Sequence, residues 1–216
     1  RVQYVREALK RGLARGAKRG ANPFRFGLIA STDTHLGAAG LVSERSFPDH
    51  GGAGAASADA LPVGLPDALE FGPGGLAVLW AEENSREALF AAMKRREAYG
   101  TSGPRLVVRF FGGRSYPSDL CESKDFVATG YQGGVPMGGE LTGVPPGSTR
   151  SVPTADTPLR FAVQALQDPG SASEPGVPLQ RIQIVKGWLE AGETHERVID
   201  VAGGPNAASV DLTTCE

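Results

Sequence analysis

Residues 24–35 read FRFGLIASTDTH, an apolar run that ends in an aspartate and a histidine. The nearly continuous apolar stretch over residues 24–31 predicts a buried strand of an α/β layer. Side chains two positions apart on extended backbone point to the same side, so Asp33 and His35 could reach one metal ion. Carboxylate and imidazole groups are both common ligands of divalent metals. The stretch therefore predicts a metal-ligand pair, and the alternative is a hydrogen-bonded start of a loop.

The segments on either side of this stretch predict helices and a second strand. Before it, apolar residues recur at helical spacing over residues 2–15, which predicts an amphipathic helix with a solvated basic face. After it, residues 76–80 read LAVLW and predict another short strand. A helix is expected from Asn84 onward, with Leu89, Phe90, Ala92 and Met93 directed inward. This order of elements is typical of an α/β domain.

A long segment rich in glycine, alanine, serine and proline separates the two predicted strands. It spans residues 36–74 and begins at the candidate metal ligands. Loops of this length are often binding loops, so we treat Arg45 and His50 as residues that could line a site. The alternative for both side chains is an ordinary place on the surface.

A polar cluster follows the predicted second helix. Thr101, Ser102 and Arg105 lie there within a short turn sequence. Arginine can hold a phosphate with two parallel hydrogen bonds, so these residues are candidates to line a phosphate site. The alternative is a plain turn followed by an arginine that is satisfied on a strand.

Hydrophobic residues alternate with period two from Leu106 onward. This alternation, interrupted by connections rich in glycine and proline, predicts an antiparallel β-sandwich of six or seven strands, with a turn at residues 190–193. The change of period predicts a domain boundary near residue 104. The expected domains are residues 1–104, an α/β domain, and residues 105–216, a β-sandwich.

Composition narrows the classes of partner. A net charge of −2 and a pI near 6.0 give no basic field for nucleic acid. No apolar run approaches the ~18 residues that a membrane span needs. Cys121 and Cys215 could form a disulfide, but their spacing does not require one. The chain begins without methionine or a signal peptide, so we expect a fragment of a longer protein, and either a cytoplasmic or an exported location is compatible with the sequence.

Four stretches together resemble a bacterial family of unknown function related to the polymerase and histidinol phosphatase (PHP) superfamily of metal-dependent phosphoesterases. They are residues 22–35 NPFRFGLIASTDTH, 75–113 GLAVLWAEENSREALFAAMKRREAYGTSGPRLVVRFFGG, 130–141 GYQGGVPMGGEL and 178–202 PLQRIQIVKGWLEAGETHERVIDVA. The resemblance implies the distal part of a PHP-like metallohydrolase α/β barrel, in which Asp33 and His35 are the last ligand pair for Zn, Mn or Mg. The substrate would be a small-molecule phosphate ester.

The same resemblance implies that the remaining metal ligands precede Arg1 in the parent protein. A catalytic zinc normally takes three protein ligands and a water molecule. This chain offers Asp33, His35 and, as a weaker candidate, His50. We therefore expect the isolated chain to bind metal weakly or not at all and to be inactive by itself.

The competing interpretation is a non-catalytic β-sandwich that binds a carbohydrate, a peptide or a neighbouring subunit. Trp188, Tyr131 and Phe126 could form an aromatic platform for such a ligand, although buried aromatic residues are more common. The sequence contains no nucleophile elbow, phosphate-binding loop or dinucleotide fingerprint that would favour another enzyme class.

Overall fold

The computed structural model describes residues 4–32, 74–141, 157–173 and 175–205. Within these ranges the chain is mixed α/β, with three α-helices, small antiparallel sheets and no closed barrel. It divides into two compact units, residues 1–26 with 177–216 and residues 27–176. The division into domains at residue 104 stays a prediction.

The elements of the first unit lie at the two ends of the chain, and those of the second unit lie between them. They are α1 (Val5–Arg19), β1 (Leu76–Leu79), α2 (Arg86–Arg95), β2 (Ala98–Thr101), β3 (Val107–Gly113), a 3₁₀ turn (Leu120–Glu122), α3 (Phe126–Gly133), β4 (Gly134–Pro136), β5 (Arg160–Leu166), β6 (Arg181–Glu190) and β7 (Glu193–Gly203). Among the described residues, no helix is long and apolar enough to cross a membrane.

The first unit pairs helix α1 with the β6–β7 hairpin. The helix predicted over residues 2–15 is confirmed, but it continues past Gly16 and ends at Gly20, whose φ of 73° is left-handed. The basic side of α1 is partly paired, because Arg6 and Lys10 lie 3.3 and 3.6 Å from the carboxylate of Glu196. Helix and hairpin are thus joined by ion pairs as well as by packing.

The β6–β7 hairpin forms where the sequence predicts two strands and a turn. The ladder closes at the pair Glu190↔Glu193, and the two turn residues Ala191 and Gly192 have φ values of 49° and 88°. Positive φ at both central residues is the type I′ arrangement that suits the twist of a hairpin. Glycine adopts it easily, whereas alanine does so at a cost.

The second unit has its core under the three-stranded sheet β4-β3-β5. Phe111 of β3 is only 1% exposed and packs with the other buried apolar residues of this core, Tyr116, Leu120, Phe126 and Ala162. Helix α3 lies very close to the sheet, since a Cβ at Gly130 would come within 2.6 Å of the Phe111 ring. The antiparallel pairing predicted for this region is confirmed.

Side chains join the β1–β2 ribbon to the edge of β3. The Tyr99 hydroxyl donates to the Leu106 carbonyl at 2.7 Å and accepts from the Val108 N–H at 3.2 Å. The indole N–H of Trp80 donates to the Val108 carbonyl at 3.1 Å. Strand β4 pairs with this edge of β3 only from Phe111 onward. Before Phe111, the Tyr99 hydroxyl and the Trp80 indole therefore form the hydrogen bonds that a neighbouring strand would otherwise form.

The buried strand predicted over residues 24–31 is not formed. The described part of this stretch has no strand partner, and Leu28 and Ile29, which alternate in direction, are 46% and 65% exposed. An apolar sequence becomes a strand only where a neighbouring backbone accepts its hydrogen bonds, and that requirement is not visible in the stretch itself.

Two further expectations about the fold need correction. The described strands form no closed barrel. The strands after residue 106 form a three-stranded sheet, which belongs to the second unit, and a separate hairpin, which belongs to the first. In α2, Ala92 is fully buried as predicted, but Phe90 and Met93 are 61% and 56% exposed. The helix therefore buries a narrower face than its apolar residues suggest.

Candidate functional site

The chain approaching Asp33 runs across the β1–β2 ribbon. A Cβ at Gly100 would lie 2.5 Å from the Ala30 nitrogen, and one at Gly75 would lie 2.4 Å from the Ser31 carbonyl oxygen. Backbone can come this close only because these positions carry no side chain. The glycines therefore allow the backbone of residues 30 and 31 to lie against the ribbon, two or three positions before the candidate ligand.

The predicted metal ligands lie outside the described residues. This holds for Asp33 and His35 and also for Arg45 and His50. Their assignment to a site stays a prediction.

Thr101 lies at the same end of the ribbon as Ser31. It is paired across the ladder with Leu76, which directly follows Gly75, the residue in contact with Ser31. Thr101 is 6% exposed, and its hydroxyl accepts a hydrogen bond from the Gly103 N–H at 3.3 Å. The threonine thus stabilises a local turn, which is the structural role considered for it, and Ser102 beside it is exposed. That Thr101 and Ser102 line a site stays a prediction.

Arg105 has a partner that sequence reasoning did not identify. Its backbone N–H donates to Asp168 at 2.7 Å, and the Gly170 N–H donates to the same carboxylate at 2.9 Å. The hydrogen bond from Arg105 and then that from Gly170 lower the pKa of Asp168, because both favour its charged form. The sequence Asp168-Pro169-Gly170 is a turn signal that could have indicated this carboxylate.

A network of polar side chains, which we call the Glu97 network, lies where α2, β2 and α3 meet. Glu97 is 4% exposed, accepts from the Tyr131 hydroxyl and lies 3.3 Å from the Nε of Arg95. Burial, and secondarily Glu97, raise the pKa of Tyr131. The buried carboxylate is therefore compensated by a guanidinium and a phenol.

Arg109 extends the Glu97 network to the indole of Trp80. Its Cζ lies 3.2 Å from the Trp80 ring centroid, and its Nη1 donates to the Tyr131 hydroxyl at 3.2 Å. Arg95, by contrast, is in ion-pair contact with Glu82 as well as Glu97. No local sequence pattern indicates this arrangement, because Trp80, Arg109 and Tyr131 are far apart in the chain.

The donor side chains decide whether a divalent metal fits. Within the described residues, no group of three histidine, cysteine, aspartate or glutamate side chains could hold a metal ion. Asp33 and His35 have suitable donor chemistry, a carboxylate and an imidazole, but two donors are fewer than the three of a typical catalytic zinc. The two residues fit part of a metal site.

The three aromatic residues considered for a binding platform differ in burial and belong to two units. Phe126 is 2% exposed and packs edge-on against Phe111, so it belongs to the core and not to a platform. Tyr131 is 42% exposed and belongs to the second unit, whereas Trp188 lies on the hairpin of the first. Trp188 is stacked on His195 of the opposite strand, with ring centroids 5.3 Å apart.

Cys121 is exposed and has no disulfide partner among the described residues, and Cys215 lies outside them. Pairing of the two cysteines stays a possibility that the sequence allows.

These observations define a mixed α/β protein of two compact units with two polar clusters, at Thr101–Arg105 and around Glu97. Residues 1–215 match the family described as protein of unknown function (DUF3604), and the chain belongs to that family. No curated protein and no solved structure matches the chain.

Proposed function

We propose that Asp33 and His35 supply two ligands of a divalent metal site in a metal-dependent phosphoesterase. The observation that supports this most is the Asp-x-His sequence that directly follows a segment fixed against the β1–β2 ribbon by Gly75 and Gly100. The proposed relation to the PHP superfamily rests on the four stretches of sequence quoted above, the first of which contains this Asp-x-His. Zn, Mn and Mg are the metals that suit these donors and this chemistry.

The protein's own groups would bind and orient a small-molecule phosphate ester. A bound metal would lower the pKa of a water molecule and polarise a phosphoryl oxygen. Thr101 and Arg105 are candidates to hold the phosphate, because Thr101 shares one end of the ribbon with Ser31 and Arg105 carries a guanidinium. Any third protein ligand is proposed to be His50 or a residue outside this chain.

The test measures metal binding and hydrolysis separately. Because the isolated chain is expected to bind metal weakly, titration with Zn²⁺ and Mn²⁺ is carried out on a longer protein that contains it. The wild type is compared with Asp33→Ala, His35→Ala and the matched control His195→Ala, which removes a hairpin histidine. We expect each ligand variant to weaken metal binding by more than the roughly 10- to 100-fold typical of a lost second-shell partner. His195→Ala should bind like the wild type.

Hydrolysis of bis(p-nitrophenyl) phosphate is followed for the chain and for a longer protein that contains it. We expect weak or no activity in the chain and metal-dependent activity in the longer protein that Asp33→Ala abolishes. In the longer protein, equal metal content and equal rates in the wild type and both ligand variants would contradict the proposal.

The second candidate is a non-catalytic binding module, and the exposed hairpin favours it. Trp188 and His195 stack across the strands, and the Lys186 ammonium lies 5.0 Å from the indole centroid. An aromatic pair beside a cation can hold a sugar or peptide ligand. The test is binding of the protein to a glycan or peptide array. Loss of binding in Trp188→Ala, with unchanged binding in Asp33→Ala, would support the binding module and not the enzyme.

A further inference from the structure

Arg109, on strand β3, is a half-buried cation. Within the described residues, no carboxylate lies within ion-pair distance of its guanidinium, and its described contacts are the Trp80 ring and the Tyr131 hydroxyl. Arg95, only a short distance along the same network, contacts two carboxylates. The guanidinium of Arg95 is thus engaged by carboxylates, whereas that of Arg109 keeps N–H groups that can bind an added anion.

The guanidinium of Arg109 is held in a fixed orientation. Stacking on Trp80 fixes its plane, and the hydrogen bond to Tyr131 fixes one of its nitrogens. Trp80 is itself anchored by its hydrogen bond to the Val108 carbonyl. A planar fork that is ordered before binding loses less entropy when it takes up a ligand.

The acid nearest in the network does not compete for this fork. Glu97 accepts from Tyr131 and from Arg95, so its charge is already engaged. Tyr131 directs its proton to Glu97 and accepts from Arg109. The remaining N–H groups of Arg109 are then the donors that an incoming acceptor would meet.

We propose that Arg109, stacked on Trp80 and oriented by Tyr131, is a binding site for an oxyanion, either a carboxylate or a phosphate group. Both groups match the spacing of the guanidinium fork and accept two parallel hydrogen bonds. This proposed site uses neither of the proposed metal ligands, Asp33 and His35, and requires no metal. The proposal of an oxyanion site can therefore be correct or wrong whether or not the protein is a phosphoesterase.

The test uses the fluorescence of Trp80. The chain contains two tryptophans, so Trp188→Phe in every variant leaves Trp80 as the only reporter. The full chain is titrated with sodium phosphate and, in a second arm, with sodium acetate, at constant ionic strength set by sodium chloride. EDTA is present throughout, which separates this result from any failure of the metal site.

We expect a saturable change in Trp80 fluorescence in at least one arm, and the arm that saturates at the lower concentration identifies the anion. Arg109→Lys should weaken binding about tenfold, since lysine keeps the charge but loses the fork and the stacking. Arg109→Gln should abolish saturation. Arg86→Lys, at an exposed position of α2, is the matched control and should titrate like the wild type.

Circular dichroism checks that each variant is folded. If Arg109→Gln does not fold, the comparison of Arg109→Lys with the wild type tests the proposal alone. A response that never saturates in either arm would overturn the proposal. So would equal titration of the wild type and Arg109→Lys.

Discussion

The β3 sheet and the β6–β7 hairpin have the same alternating sequence pattern but differ in how much they bury. In the sheet, Phe111 and Ala162 face each other across the ladder and are 1% and 6% exposed. In the hairpin, Val185 and Val198 are a cross-strand pair with 40% and 44% exposure. A period-two pattern therefore predicts pairing, whereas burial depends on what packs against the resulting face.

The largest expected effect is the loss of the Phe111 side chain. Phe111→Ala should lower the free energy of unfolding by about 3–5 kcal/mol, because it leaves a cavity among close-packed rings. Val198→Ala is the matched change on the hairpin and should cost less than about 1 kcal/mol, since much of that side chain is in water. Urea denaturation measures both. Equal costs would show that the two faces are buried to the same degree.

The edge of β3 provides a second comparison. Tyr99→Phe should cost about 1–3 kcal/mol, because the Leu106 carbonyl and the Val108 N–H lose their hydrogen-bond partner. Tyr4→Phe is the control, since Tyr4 is 69% exposed and precedes α1. The difference is read from urea midpoints and from hydrogen exchange at Val108. Unchanged exchange in Tyr99→Phe would contradict the role of the hydroxyl.

A substitution in the turn of the β6–β7 hairpin should make the protein more stable. Ala191→Asn is expected to raise the free energy of unfolding by roughly 0.5–1 kcal/mol, because asparagine adopts positive φ at lower cost than alanine. Ala191→Val, with a branched side chain at the same φ, should lower it. Thermal unfolding compares the three proteins. A stabilising valine would mean that the turn has another geometry.

The smallest expected effect concerns Asp168. Its lowered pKa means that the folded state favours the carboxylate, so the stabilisation is present above the ordinary aspartate pKa and is lost as the pH falls through the lowered pKa. Asp168→Asn should therefore be less stable than the wild type at neutral pH, and the two should converge below about pH 4. Unfolding midpoints across this range test it. A constant difference would exclude the charge as the cause.

Local signals predicted the structure well where local contacts decide it. Helical spacing predicted α1 and α2, and the sequence Glu190-Ala191-Gly192-Glu193 predicted the hairpin turn, which is confirmed. Each depends on residues within a few positions of one another.

Non-local contacts explain the predictions that were wrong. Residues 24–31 have the composition of a strand, but no described backbone pairs with them. The bond between Arg105 and Asp168 joins residues 63 positions apart, and the Arg109–Trp80 contact joins separate elements. No pattern within a window of sequence reports such partners. The metal-ligand pair itself, Asp33 and His35, stays a prediction.

The hydrogen bonds of Tyr99 and Trp80 to the edge of β3 have a consequence for solubility. An open strand edge is a template on which strands of other molecules can add, and this is a common route to aggregation. Here the phenol and the indole occupy the backbone groups of Leu106 and Val108. The two aromatic side chains thus disfavour fibrillar assembly at the part of this edge before Phe111, where no described strand pairs with it.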